Sequence, residues 1–274
     1  MSPLGNIFRT FLVENSRRIL LSVVSIVAFV AIWFLIALLL REIGSHLADF
    51  VPYPQDVGRA FLDSFRRPVP ILEVGMQSLM WNSLQRVVIG FLIAFAVAVP
   101  LGLLMGAFTT IDYVGRPIVE MIRPIPPIAW VPVFIIALRG FWGPVAIVFI
   151  GAFFPILLNV IFGVRSVDPV LFDAARTLGA KRSHLFTKII APSVVPFMMT
   201  GVKVGLGVAW MCIVAAELLP IRGSGLGNFI WVESDFGYFD YAFAGMIVIG
   251  ILSILTTGVA ELAERRLYRW MGMK

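Results

Sequence analysis

The chain has 274 residues; 59% are hydrophobic, only 14% are charged, and the mean hydropathy is +0.95. Soluble domains are nearer half apolar and a quarter charged, so an ordinary soluble enzyme is disfavoured and a disordered chain is excluded. A net charge of +6, one cysteine (Cys212) and two distant histidines (His46 and His184) leave no internal disulfide and no clustered metal-ligand pattern. His184, in a basic polar loop, reads as a solvated surface residue. At roughly 20 residues per crossing, about six helices fit, which predicts an all-α integral membrane protein.

Residues 1–18 read as an N-terminal segment ending in Arg17 and Arg18. Ile19 to Leu40 is then uncharged and ends in bulky leucines before Arg41. A signal peptide has a shorter apolar stretch and ends in small residues, so this reads as a retained first helix, 19–40. An external connection, 41–86, follows. Its Pro52, Pro54, Pro68 and Pro70 mark turns, and Asp56 is placed to cap a short helix from Val57 to Phe65. Val87 to Phe108 is the second span. Its Pro100, Gly102 and Gly106 are tolerated in membrane helices.

The third span, Ile125 to Leu138, is short and holds Pro126, Pro127 and Pro132. The helix could begin near Pro117 and carry Glu120 and Arg123. Two readings stand side by side: a Pro-kinked helix that only packs, and a broken helix lining a pathway, which needs protein or water around it. Trp142 to Val164 is the fourth span, Ser193 to Leu219 the fifth and Tyr241 to Ala260 the sixth. The core thus runs over 87–263, with a loop at 164–192 and a basic tail at 264–274. There is no sign of a tandem repeat array.

Lys and Arg set the orientation. With the N-terminus inside, the inner side holds Arg9, Arg17, Arg18, Arg116, Arg123, Arg165, Arg176, Lys181, Arg182, Lys188, Arg265, Arg266, Arg269 and Lys274. The outer side holds Arg41, Arg59, Arg66, Arg67, Arg139 and Arg222, while Arg86 and Lys203 lie at or within spans. The asymmetry predicts both termini in the cytoplasm and an even number of crossings. The positive tail is then a topology signal rather than a nucleic-acid site.

The inner loop between spans four and five is the most informative segment. Asp168-Pro169 is a helix start, the acid capping free N–H groups and proline suiting the first turn. Gly179 is placed to end that helix in a left-handed cap. Leu171, Ala174, Ala175 and Leu178 fall on one face, flanked by Phe172. The small alanines allow close approach to a partner groove. Ser183 is placed to start a second short helix running to Ala191, before Pro192 opens span five.

The spacing Asp173-Ala174-Ala175, three residues, Gly179, nine residues, Ile189, then Pro192 resembles the EAA loop of ABC-importer permeases. Asp173 stands where that family has Glu, and Ala191 where it has Leu. Other segments resemble its nitrate/sulfonate/taurine/bicarbonate branch: Val51-Pro52-Tyr53-Pro54, Ser83-Leu84-Gln85-Arg86-Val87, Arg123 to Pro132, Thr200 to Lys203, Ala209-Trp210, Val214 to Glu217 and Gly225-Leu226-Gly227. These cover most of the chain from Val51 to Trp231.

The resemblance implies a type I ABC-importer permease fold with six transmembrane helices in the plasma (inner) membrane. It implies that Asp173, Ala174, Ala175, Leu178, Gly179, Ile189 and Pro192 form the coupling segment that docks on an ATPase. It also implies the partners: two ATPase subunits, a second copy of the permease, and an external solute-binding protein that delivers a small oxyanion or sulfonate. ATP and Mg would bind the partner subunits and no cofactor this chain. The sequence agrees, since no lysine follows a glycine as a P-loop requires. Gly179-Ala-Lys-Arg-Ser is only a near miss.

Charges within spans suggest function or pairing. Lys203 and Glu217 are 14 residues apart, about 21 Å on one helix, and cannot pair with each other. Lys203 could snorkel inward or pair with an acid such as Glu120. Glu217 could mark the outer interface, hold the Gly223-to-Gly227 turn through backbone N–H groups, or gate. Trp130, Trp210 and Met211 are candidate pathway residues, with helix packing as the plain alternative for each. An ATPase-independent secondary transporter or channel is the competing class. An integral membrane enzyme would need clustered catalytic groups, and the sequence offers none.

Overall fold

The computed structural model describes residues 3–218 and 225–271, and among these every regular element is helical. The elements are α1 (Pro3–Glu42), α2 (Pro54–Arg66), α3 (Met76–Ala107), α4 (Thr109–Ile122), α5 (Val131–Leu138) and α6 (Trp142–Arg165). They continue with α7 (Pro169–Thr177), α8 (Arg182–Leu185), α9 (Ala191–Glu217), α10 (Leu226–Asp235) and α11 (Phe239–Trp270). Among the described residues, five helices are long and apolar enough to cross a membrane. A sixth crossing exists if α4 and the segment Pro127–Leu138, bent by 84° between them, count as one broken span.

Three boundaries differ from the sequence reading. Pro117 does not open a helix; it lies inside α4, which begins at Thr109 directly after Phe108. The break comes instead where Pro124, Pro126 and Pro127 crowd together, because each removes an N–H and restricts the residue before it. The short helix of the first connection starts at Pro54, with Asp56 inside its first turn rather than at its cap. Proline's fixed φ suits that first position. The expected stop before Pro192 is absent as well. A π-helical stretch, Phe186–Ile190, runs straight into α9, and Ala191 N–H bonds the carbonyl of Phe186, five residues back. Pro192 cannot donate, and its ring crowds the carbonyl of residue 188, so the wider turn accommodates it. The helix α10 falls in a stretch for which no element was expected.

Helix α6 is central, packed between α3 and α9. In lipid, helices gain little from apolar burial as such; close packing and interhelical hydrogen bonds hold them together. The sequence provides small residues where that packing needs them. Gly90, Ala94, Ala98, Gly102 and Gly106 recur every fourth position on α3. A methyl group at Gly90, Gly102 or Gly106 would lie 2.8, 2.8 or 2.6 Å from side-chain atoms of Val148, Val160 or Val164 on α6. On the other side, Gly163 meets Phe197 and Gly201 meets Asn159, at 2.8 and 2.9 Å. By contrast, almost none of the apolar span of α1 is buried.

At the end of the bundle where α3 begins, α10 and α11 hold the connection between α1 and α3. Val57, Ala60 and Ala244 form a buried cluster with Trp33, Phe61, Tyr241 and Phe243 around it. Tyr241 donates to Asp63 at 3.0 Å. Glu233 on α10 is fully buried; its Oε1 accepts the Ile71 N–H at 3.1 Å, and its Oε2 has no hydrogen-bond partner. Burial raises the Glu233 pKa above the ordinary carboxylate value; the Ile71 and Leu72 N–H groups oppose this, and Asp240 adds to it. A raised folded pKa means the native state holds the proton longer than the unfolded chain does. The contribution is therefore complete below the ordinary value, about 4.3, and lost as pH rises through the folded value. Glu233→Gln should flatten the fall of the melting temperature with rising pH. Parallel melting curves for the two proteins across that window would remove Glu233 from the account.

Candidate functional site

The loop between α6 and α9 carries a well-specified short helix. Asp168 is its N-cap and accepts the Val170 N–H at 2.9 Å, with Pro169 at the first position. Its far end closes as a Schellman motif. Gly179 N–H bonds the Arg176 carbonyl at 2.9 Å, and Ala180 N–H bonds the Ala175 carbonyl at 3.0 Å. Gly179 has φ +77°, a conformation that costs glycine nothing.

Capped at both ends, α7 nevertheless buries no residue. Only Phe172 reaches the main core. Val170, Leu171 and Leu178 are 68%, 50% and 87% exposed. Ala174 is exposed and Ala175 half-buried. Asp173 makes only a long contact with Arg176, 3.8 Å, in the open. A helix this well capped, with its apolar side chains uncovered, is shaped to meet something else. Ile189 lies in the π-helical stretch and Pro192 in the first turn of α9, both half-buried, so they root the loop rather than extend its surface.

Glu217 is held inside the protein. It is 1% exposed and sits in a sealed polar cluster at the end of α9. Its Oε1 lies 2.7 Å from Arg86 Nη1, itself 3% exposed. Its Oε2 accepts from Ser83 Oγ at 2.7 Å and from Gly227 N–H at 3.2 Å. Ser83 Oγ accepts the Leu226 N–H at 2.9 Å. The carboxylate thus joins α3 to the first turn of α10. Gly225 must lack a side chain, because a Cβ there would run into the Glu217 carboxylate. Gly227 plays the backbone role expected of that turn. Pro220 and Gly223 lie outside the described residues. The Arg86 guanidinium also faces the Phe141 ring at 5.8 Å, which brings in the start of α6.

Lys203 pairs with Glu264 of α11 at 3.0 Å, not with Glu120. Tyr268 also donates to Glu264, at 3.0 Å. Glu120 is exposed and bonds Arg116 on its own helix. The reason is packing: α9 lies along α11, while α4 lies against α3.

The other pathway candidates separate. Trp210 is 2% exposed and donates to Thr256 at 3.0 Å, joining α9 to α11. Met211, next along α9, is 73% exposed. Trp130 sits in the 3₁₀ turn Pro127–Trp130 beyond the break, its ring 5.8 Å from Phe134 and its Nε1 buried without a partner. Sequence reasoning missed the roles of Arg86, Ser83 and Glu264 and a further pair, Asp112 with Arg165 at 2.6 Å. Depth could have found the first: Arg86 and Glu217 both lie at the outer ends of their predicted spans.

A multi-pass helical membrane protein with glycine-welded helices, a broken span and a capped, uncovered loop helix at one end is the class defined by this geometry. The chain belongs to the binding-protein-dependent transport system inner membrane component family, whose model matches residues 98–271. It is 37% identical over 263 residues to an ABC transporter permease protein of Methanocaldococcus jannaschii, covering 94% of this chain and 95% of that one. It is 31% identical over 258 residues to the taurine transport system permease protein TauC of Escherichia coli, covering 94% and 92%. It is also 33% identical over 194 residues to the nitrate import permease protein NrtB of Leptolyngbya laminosa, covering 69% of each. Among solved structures, a chain of the MetNI methionine ABC transporter, in an inward-facing conformation, matches with a TM-score of 0.57 at 18% identity. That match covers 68% of this chain and 93% of the other, and shows a shared fold. The expected all-α type I fold is the one observed, with its sixth crossing supplied by the bent pair α4 and Pro127–Leu138, and the chain is a transmembrane permease component of an importer.

Proposed function

We propose that this chain forms the solute pathway of an ATP-driven importer for a small oxyanion or sulfonate, working as a pair of copies with two separate ATPase subunits and an external solute-binding protein. The observation that carries the reading is α7: capped by Asp168 and Gly179, yet with Leu171 and Leu178 uncovered. Asp173, Ala174, Ala175, Leu178 and Gly179 meet the ATPase, with Ile189 and Pro192 anchoring the loop. On this reading both termini and α7 face the cytoplasm, and the Glu217 cluster and α10 lie at the outer face. The charge asymmetry supports that orientation. ATP and Mg belong to the partner subunits. The pathway runs along the broken third span, with Trp130 and Met211 as lining residues. Trp210, Lys203 and Glu217 act behind it, holding α9 in register.

The substrate class is supported by relatives named for taurine and nitrate. Vesicles holding the permease and its ATPase subunits, given the external binding protein, are expected to accumulate taurine or nitrate only when ATP is present. Accumulation at an equal rate without ATP makes the chain a secondary transporter or channel. A binding protein that takes none of nitrate, bicarbonate, taurine or alkanesulfonates removes the oxyanion part and leaves the permease part standing.

A further inference from the structure

Helix α4 is the first limb of the broken span, yet it is poorly fastened to the central helix α6. It follows α3 after the single extended residue Phe108, φ −122° and ψ 111°. Between α4 on one side and α3 and α6 on the other lies an open apolar groove of about 500 Å³, lined by Met105, Ile111, Val114, Ile118, Phe153 and others. At the inner end one strong tie bridges the gap. Asp112, in the first turn of α4 and 6% exposed, holds Arg165 Nη2 at 2.6 Å. Arg116 approaches the other carboxylate oxygen only at 3.9 Å.

The position of Arg165 gives the tie its meaning. It is the last residue of α6, with Ser166 and Val167 alone between it and the N-cap of α7. Beside it, Val164 is pressed against Gly106 near the end of α3. A displacement of α7 reaches Arg165 over a few residues. From Arg165 it can pass to α4 through the ion pair, and along α4 to the break before Trp130. The groove beside α4 leaves that helix room to swing, whereas α3, α6 and α9 are locked by their glycine contacts.

We propose that Asp112 and Arg165 are positioning residues that link the coupling loop to the broken span, so that work done on α7 moves the pathway. This rests on the importer reading. A buried carboxylate paired at 2.6 Å would be expected in a purely structural role too, so the test must separate coupling from folding.

The complete complex, reconstituted with its ATPase subunits and binding protein, is assayed for ATP hydrolysed and for taurine or nitrate imported in the same vesicles. Asp112→Asn should keep hydrolysis within about twofold of the parent while solute moved per ATP falls about fivefold or more, the lower end of ordinary coupling between sites. The exchanged pair, Asp112→Arg with Arg165→Asp, should recover much of the ratio. A ratio equal to the parent's in Asp112→Asn overturns the proposal. So does a parallel loss of hydrolysis and import that tracks a lowered melting temperature, since that is the mark of a structural role alone. If the parent complex itself shows no ATP-driven import, the importer reading fails first.

Discussion

Glu217→Ala is expected to lower the stability of the permease by about 3–5 kcal/mol, the usual cost of breaking a buried ion pair from one side. The geometry explains why so much hangs on one side chain. Removal of the carboxylate leaves Arg86, 3% exposed, without its 2.7 Å counter-charge. It also strands the Ser83 hydroxyl and the Gly227 N–H, each at about 1–3 kcal/mol when buried and unpaired. Arg86→Ala should cost a similar amount, because it leaves a buried carboxylate. The double variant should cost less than the two single losses added, because no lone charge remains. It should not return to the parent level, because the Ser83 O–H and the Gly227 N–H stay without the acceptor they had. Thermal unfolding in detergent of the four proteins gives the cycle. If Glu217→Ala melts with the parent, or the two losses simply add, the cluster does not hold α3, α9 and α10 together. Gly225→Ala is the control that leaves every charge in place. Its methyl group must displace the carboxylate, so it should mimic much of the effect.

The cluster also shows where the sequence was legible and where it was not. The spans, the capped loop helix and the left-handed Gly179 could be read locally, because each depends on hydropathy or on residues within one turn. Asp168, Pro169 and Gly179 needed no knowledge of the rest of the chain. The helix α10 and the partners of Glu217 and Lys203 could not be read in this way. Leu226–Asp235 is a short helix that mixes apolar and acidic residues, with no cap in its sequence; Gly225 precedes it without a side-chain bond. Its start is fixed by Ser83 and Glu217, 143 and 10 residues away in sequence from the N–H groups they bind. Glu120 and Glu264 were both available to Lys203 by depth. The choice between them depends on which helix lies beside α9, and that is set by tertiary packing: α11 runs along α9, while α4 lies against α3. Gly102 and Gly106 on α3 were visible as residues but were read only as tolerated, not as close contacts with Val160 and Val164 of α6.

Gly179→Pro is expected to abolish ATP-driven import while leaving the helical bundle intact. Proline fixes φ near −65°, and position 179 sits at +77°. The substitution also removes the N–H that bonds the Arg176 carbonyl, half of the Schellman closure. The end of α7, with Leu178 at 87% exposure, would then lose its fixed direction. The bundle should be spared because α7 buries nothing, and Phe172 alone ties it to the core. Melting temperature and detergent elution should therefore match the parent, and the proposed ATPase subunits should no longer co-purify. Leu178→Glu tests the same surface without touching the backbone. It places a charge on the uncovered apolar face and should weaken ATPase binding by about 2 kcal/mol or more if Leu178 is a central contact, which is about thirtyfold in affinity. Gly179→Ala, strained but still able to donate its N–H, should fall between the parent and the proline variant. Import at the parent rate in Gly179→Pro, with the variant shown to be folded, means that α7 is not where energy enters, and an uncoupled transporter becomes the better description.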